Sequence, residues 1–362
     1  MTDDATSLLP SDEPIQYLAP DGSVVADFDH LGLTPDDLVG MYRDIVRTRT
    51  LDTLAISLQR QGQLGVWASA RGQEGAQVGI AWAMGLRDWA FPSYREHGIT
   101  TVRGVPFAAL LKQYKGTWMG LYDPHEHQVA PHSIPIATHL LHAVGYAKAA
   151  ALSGDDLVTL AFIGNGGTSE GDFHEALNYA AVWNAPTVFV IQNNQYAISE
   201  TNEHQCVAPS LAHKGIGYGV RSFSVDGNDV VASFAVASEA IESARAGEGP
   251  ALIEAHTYRM QPHTTADDDT RYRPPEELAE WLERCPLDRI ELYLRSQGLA
   301  DDTLCDEIRA EAQAEAAEVR AEVLAAGPEP IEALFDNVYV EPPASLLEQR
   351  AAVLERLQEV HA

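Results

Sequence analysis

From Leu157 to Ala255 the chain alternates short, β-branched apolar runs with longer stretches of helical spacing, and few folds accept that pattern. Leu157–Ile163, Thr187–Ile191, Val220–Val225 and Ala251–Ala255 read as strands; Phe173–Trp183 and Asp229–Ala246 read as helices between them. Strands that are apolar along most of their length belong in a sheet covered on both faces. A strand–helix–strand pitch joins parallel neighbours. The predicted fold class is therefore α/β, a doubly wound, mainly parallel sheet flanked by helices.

The flanking segments differ in character. Residues 1–35 are rich in Asp, Pro, Gly and Ser without periodicity and are expected as an N-terminal arm, partly disordered. Thr34-Pro35-Asp36-Asp37 supplies an N-cap, a first-turn proline and two acids for a helix running toward Gln61-Gly62. Residues 73–86 read as a second helix of small residues. The α/β domain is expected over 36–275. After Pro274-Pro275, Leu304, Ile308, Val319 and Val323 fall on one helix face, so 276–362 is expected as a helical extension packing on the body or a partner subunit.

Charge limits the partners. Twenty-four basic residues against fifty-three acidic ones give −29, and only four of the basic residues are lysines. Such a field repels nucleic acid and anionic membrane. An anionic ligand then needs a local set of arginines, histidines, backbone amides or a cation. Cys206, Cys285 and Cys305 form no CxxC pair, which fits a reducing cytoplasm. No basic stretch leads into an apolar run at the start, and no window approaches eighteen uninterrupted apolar residues. The expectation is a soluble cytoplasmic protein.

Ligands of open parallel sheets bind beyond the carboxyl ends of the strands. Gly164-Asn165-Gly166 closes one predicted strand and Asn193-Asn194 closes the next, with residues 167–192 holding one helix and one strand between them. The two clusters should be spatial neighbours. Glycines let backbone approach an anion, the following helix start supplies free amides, and side-chain oxygens bind a hard cation, so the pair suits a metal-bound diphosphate. Two Gly- and Asn-rich turns after buried strands are the plainer reading.

The longer run from Gly164-Asn165-Gly166-Gly167-Thr168-Ser169-Glu170-Gly171-Asp172-Phe173 to Gln192-Asn193-Asn194-Gln195-Tyr196-Ala197-Ile198-Ser199 resembles the thiamin diphosphate motif. In detail it is similar to the alpha subunit of heterotetrameric 2-oxo acid dehydrogenases, the decarboxylating first component of pyruvate and branched-chain complexes. Arg60-Gln61-Gly62, Gly72-Gln73-Glu74, Tyr94-Arg95-Glu96-His97-Gly98 and Tyr258-Arg259-Met260-Gln261-Pro262-His263-Thr264 agree in the same order. The resemblance covers about residues 40 to 275, and the remainder more loosely.

Carried over residue by residue, the resemblance implies that Asn165, Asn194 and the Tyr196 carbonyl bind Mg²⁺. Gly164, Gly166 and Gly167 then flank the diphosphate, and Tyr94, Arg95 and His263 contact it. Arg259 shapes the loop around His263, and Ile136 braces the bent cofactor. Ser133 to Thr138 also resembles a potassium-binding turn of branched-chain relatives, with His139 in place of their glutamine. The main departure is Asn165, where the family has Asp or Glu, so the site loses one negative charge. The implied protein is half of an active site, completed by a beta subunit in an α₂β₂ heterotetramer. It decarboxylates a 2-oxo acid and passes the acyl group to the lipoyl group of an acyltransferase. His263 is the candidate for moving protons during acyl transfer, since histidine titrates near neutrality. An acetoin dehydrogenase alpha subunit, or a structural subunit with a degenerate cofactor site, are the alternatives.

Other polar groups draw plainer expectations. His125, Glu126, His127 and His132 read as solvated loop residues, since no recognisable ligand spacing completes them. His139 and His142 share a helix face expected at a subunit contact. Asp267-Asp268-Asp269 reads as an exposed acidic turn pairing Arg271 or Arg273. Val66 and Trp67 are candidates for the substrate pocket, with core packing an equal account of Trp67.

Overall fold

The computed structural model describes residues 8–117, 122–336 and 338–361. Helix α1 (Pro35–Arg60) opens on a complete capping box: Thr34 Oγ1 accepts from Asp37 N at 3.2 Å and the Asp37 carboxylate accepts from Thr34 N at 2.8 Å. Helix α2 (Glu74–Ala83), strand β1 (Trp89–Phe91) and helices α3 (His97–Val102), α4 (Phe107–Lys115), α5 (Pro124–His127) and α6 (Thr138–Ser153) follow. Next come β2 (Thr159–Gly164), α7 (Gly171–Trp183), β3 (Thr187–Asn193) and a hairpin of two-residue strands, β4 (Tyr196–Ala197) and β5 (Glu200–Thr201). Strand β6 (Arg221–Asp226), helix α8 (Val230–Arg245) and strand β7 (Ala251–His256) complete the α/β part. Helices α9 (Pro275–Leu282), α10 (Pro286–Ser296), α11 (Asp302–Ala325), α12 (Ala333–Asp336) and α13 (Ala344–His361) form the C-terminal part.

Five strands form one sheet in the order β1-β2-β3-β7-β6, and every pairing in it is parallel. Alternate residues face opposite helical layers. Leu160, Phe162, Val188, Val190 and Ile253 pack toward α1, α2 and α8, while Ala161, Ile163, Phe189, Ile191 and Leu252 pack toward α6 and α7. Phe162 and Phe189 are fully buried. Each such side chain contributes roughly 1.5–3 kcal/mol by leaving water, more than the roughly 0.5–1.5 kcal/mol net of one hydrogen bond. The central strands β2 and β3 therefore read as nearly continuous apolar runs, whereas β6 at the sheet edge alternates Arg221, Ser222 and Ser224 with Phe223 and Val225.

Two features lie outside the sequence expectation. Strand β1 adds an edge beside β2 through three residues, too few to show a period. Residues 8–33, expected as part of an arm, lie on the body: Ile15 N donates to Ser224 O at 2.9 Å, and Leu18 is fully buried. The anchor is Asp229, whose carboxylate accepts from Tyr17 N and Leu18 N at 2.7 Å each while capping α8 through Val231 N and Ala232 N. Residues 1–7 of that arm lie outside the described residues. The expected face of α11 lies on this chain's own body, with Ile308, Val319 and Val323 buried beside α1 and α4. Among the described residues no helix is long and apolar enough to cross a membrane.

Candidate functional site

Because β2 and β3 are parallel neighbours with Gly164 opposite Gln192, the two polar tips emerge side by side. The tight turn Asn165–Ser169 leads from β2 into α7, and Asn194 follows β3 directly. Both tips line a cavity of about 580 Å³ at the carboxyl edge of the sheet. The glycines of the turn are required by close approach. A Cβ on Gly166 would sit 2.5 Å from the Ala197 Cβ, and one on Gly167 would sit 2.5 Å from Ile163 Cγ1 and 3.1 Å from Ile136 Cγ2. Ile136 thus reaches over the turn and lines the same cavity.

The opposite wall is cationic. Tyr94, Arg95 and His263 line the cavity. Arg95 is buried and donates to Ser69 O at 2.6 Å and, through Nη2, to His263 O at 2.8 Å; that nitrogen also lies 3.3 Å from His263 Nδ1. Arg259 does not line the cavity but stands behind it, almost fully buried. It donates to Ile198 O at 2.8 Å and Tyr272 Oη at 2.7 Å, with Nη1 3.5 Å from His263 Nδ1. Asp267 fixes the loop by accepting from His263 N at 2.8 Å and from the Tyr272 hydroxyl. Burial first, then Arg95 and Arg259, push the His263 pKa down to about 3. In this site His263 is neutral near pH 7. Two guanidinium groups face Nδ1, so Nδ1 accepts and Nε2 carries the proton.

The other wall offers oxygen donors. Asn165 is buried; its Nδ2 donates to Asn202 Oδ1 at 2.7 Å, while its Oδ1 is buried without a hydrogen-bond partner. Asn194 Oδ1 accepts from Tyr196 N at 3.3 Å, and Asn194 Nδ2 donates to Gln73 Oε1 at 3.3 Å. An orphaned amide oxygen on one lining residue and a second asparagine lining the same cavity suit a hard divalent cation that takes its remaining ligands from a diphosphate. No group of three or more His, Cys, Asp or Glu side chains gathers as a metal site among the described residues.

The dehydrogenase E1 component family model matches residues 42–332, which spans the sheet and both walls of this cavity. This chain belongs to the dehydrogenase E1 component family. It is 48% identical over 339 residues to the 3-methyl-2-oxobutanoate dehydrogenase subunit alpha of Mycobacterium tuberculosis strain H37Rv, covering 93% of this chain and 92% of that one. It is 37% identical over 338 residues to the pyruvate dehydrogenase E1 component subunit alpha of Staphylococcus aureus strain Mu50, covering 93% and 91%. The expected alpha subunit of a 2-oxo acid dehydrogenase, an oxidoreductase, agrees with both names.

Within this family member the ordered motifs meet through buried polar side chains. Gln77 donates to Arg95 O at 3.0 Å and Gln192 Oε1 at 2.8 Å and accepts from Gly98 N at 2.8 Å, so one glutamine ties the Tyr94–Gly98 segment to the end of β3. Gly72 has φ +91°, and a Cβ there would meet Tyr258 O at 2.2 Å. Val66 lines the cavity, whereas Trp67 is core: fully buried, stacked on His97 at 4.1 Å and bonded through Nε1 to Asp52 at 2.9 Å.

Two histidine expectations need correction. His132 is buried rather than solvated, unlike the exposed His125. His139 is buried within this chain with Nε2 2.6 Å from Phe162 O and lines the cavity, while His142 alone is exposed. In both cases the covering groups come from distant segments, which helix spacing does not reveal. Of the acidic turn, Asp269 pairs Arg273 and Asp267 holds the His263 loop. In the stretch likened to a potassium turn, Ser133 Oγ donates to Pro135 O at 2.9 Å. Sequence reasoning missed Gln77 and Asn202 and read Asp267 as part of an exposed acidic turn; only proximity in space marks the three.

Proposed function

We propose that this chain is the alpha subunit of an α₂β₂ 2-oxo acid dehydrogenase that works in the cytoplasm with thiamin diphosphate and Mg²⁺. Its acyl product goes to the lipoyl group of an acyltransferase component. One observation carries the reading: the tips of β2 and β3 share a cavity with an arginine–histidine wall. Family membership implies thiamin diphosphate dependence. When bound, that cofactor supplies the nucleophilic carbon and the electron sink for losing carbon dioxide from a 2-oxo acid.

The residues of this chain bind and orient. Asn165 Oδ1, Asn194 Oδ1 and the Tyr196 carbonyl hold Mg²⁺. Tyr94, Arg95 and the His263 Nε2–H hold the diphosphate, and Gly164, Gly166 and Gly167 let backbone amides reach it. Ile136 presents an apolar brace above the turn. Arg259 acts behind His263 by fixing its tautomer. An anion at Nε2 favours the imidazolium, which raises the His263 pKa and lets that nitrogen hold or release a proton during acyl transfer. The beta subunit supplies the carboxylate that completes the site.

Branched-chain substrates are favoured over pyruvate because the 48% relative bears that name and the small side chains of Val66 and Ala68 line the cavity. A 2-oxo acid panel with the chain plus its beta partner and an artificial electron acceptor tests this. The expected result is a higher kcat/KM for 3-methyl-2-oxobutanoate than for pyruvate. No turnover of any 2-oxo acid would instead support a structural subunit, and turnover of acetoin alone would support an acetoin dehydrogenase.

A further inference from the structure

Asn165 sits where a carboxylate would place one more negative charge beside the metal, and its surroundings explain why an amide serves. Glu254 is fully buried within β7 and accepts on both oxygens, from Ala212 N at 2.8 Å and from Asn193 Nδ2 at 2.7 Å. An ionised carboxylate only accepts, so Asn193 must turn its nitrogen to Glu254 and its oxygen away. That oxygen accepts from Asn202 Nδ2 at 2.6 Å and from the Gln195 backbone N–H at 3.2 Å, and a backbone N–H has no other polarity. Asn202 is thereby oriented too: its nitrogen faces Asn193 and Gln195 Oε1, and its oxygen accepts from Asn165 Nδ2 at 2.7 Å. Gln195 cannot reverse without losing the bonds from its Nε2 to the Asn193 and Thr257 carbonyls, at 3.2 and 3.4 Å.

Each link donates toward Glu254, so the run has one direction. At its far end only one orientation of residue 165 remains: nitrogen to Asn202, and the oxygen of this cavity-lining residue buried without a partner. We propose that Asn202 is a positioning residue for the metal–diphosphate site, holding Asn165 with its amide oxygen as the ligand, so that position 165 in this chain needs a hydrogen-bond donor. A carboxylate at 165 would set its lone pairs against Asn202 Oδ1. Asn202 could relieve that only by reversing, which turns its oxygen onto the oxygens of Asn193 and Gln195.

This inference rests on the cofactor reading above, and a double-mutant cycle separates the two. N165D, N202A and N165D/N202A are made in the full chain and purified with the beta subunit. Thiamin diphosphate is titrated calorimetrically at fixed Mg²⁺, and ligand-free thermal midpoints check the fold. No binding by the wild type refutes the cofactor reading itself. Given wild-type binding, the effect of N165D on Kd is expected to be at least threefold less favourable with Asn202 present than in the N202A background. N202A alone is expected to weaken binding threefold or more by freeing the Asn165 amide, a readout that stands if N165D fails to fold. A smaller difference between the two N165D effects, or an unchanged Kd in N202A, overturns the positioning role and leaves the cofactor reading standing.

Discussion

Gly166→Ala tests the juxtaposition of the two tips. The new Cβ would lie 2.5 Å from the Ala197 Cβ and 3.2 Å from the α-carbon of the same residue, against an ordinary carbon–carbon separation of about 3.5–4.0 Å. A Cβ is fixed to its backbone and cannot rotate away. The Asn165 turn and the Tyr196–Ala197 strand must therefore part by about 1–1.5 Å. Overpacking of this kind costs about 1–3 kcal/mol, a fall in thermal midpoint of roughly 1–4 °C for a chain of this size. The larger effect is on binding. The displaced groups are those proposed to hold the metal, and displacing positioning groups by ~1 Å costs on the order of 10²-fold. Scanning calorimetry of the ligand-free protein and a thiamin diphosphate titration with Mg²⁺ read the two effects separately. Ala197→Gly should restore part of the affinity, because it removes the closer of the two clashing carbons. Wild-type affinity in Gly166→Ala would refute the claim that both tips grip one ligand.

Asn194→Ala is expected to abolish Mg²⁺-dependent cofactor binding while leaving the subunit assembly intact by size-exclusion chromatography; retained activity would contradict the metal assignment. His263→Ala should spare decarboxylation, read with an artificial electron acceptor, more than acylation of a lipoyl domain, and equal losses would argue against its role in acyl transfer. Stability should fall with acid. Burial first, then His139, hold buried His132 at about 4, below its ordinary 6.5. The unfolded chain therefore binds a proton that the native chain refuses between those values. The His132 contribution is intact above pH 6.5 and is lost progressively down to about 4, reaching ~2 kcal/mol at pH 5. Urea unfolding at pH 7 and pH 5 should show a smaller pH difference for His132→Leu than for the wild type; equal differences would refute the assignment.

What the sequence revealed depended on how local the cause was. Leu160 to Ile163 and Val188 to Ile191 are apolar on both faces, so their place in a covered parallel sheet was legible, and with it the meeting of Asn165 and Asn194 across one crossover. Thr34 and Asp37 cap α1 within four residues of each other, so the start of α1 was legible as well. The rest is non-local. Leu18 is held by Asp229 from 211 residues away, so composition alone suggested a loose arm. The pKa of His263 is lowered by its burial and by Arg95, 168 residues distant, which no motif records. Asn202 follows Asn165 by 37 residues and belongs to no recognised motif, yet it takes the hydrogen bond from the Asn165 amide nitrogen.

The central claim is that the β2 and β3 tips together hold a magnesium-bound diphosphate against Arg95 and His263. Calorimetric titration of thiamin diphosphate into the purified chain with its beta subunit, with and without Mg²⁺, measures this directly. Saturable binding at one site per alpha chain, lost when Mg²⁺ is chelated, is the predicted result; absence of binding in the presence of Mg²⁺ would contradict it.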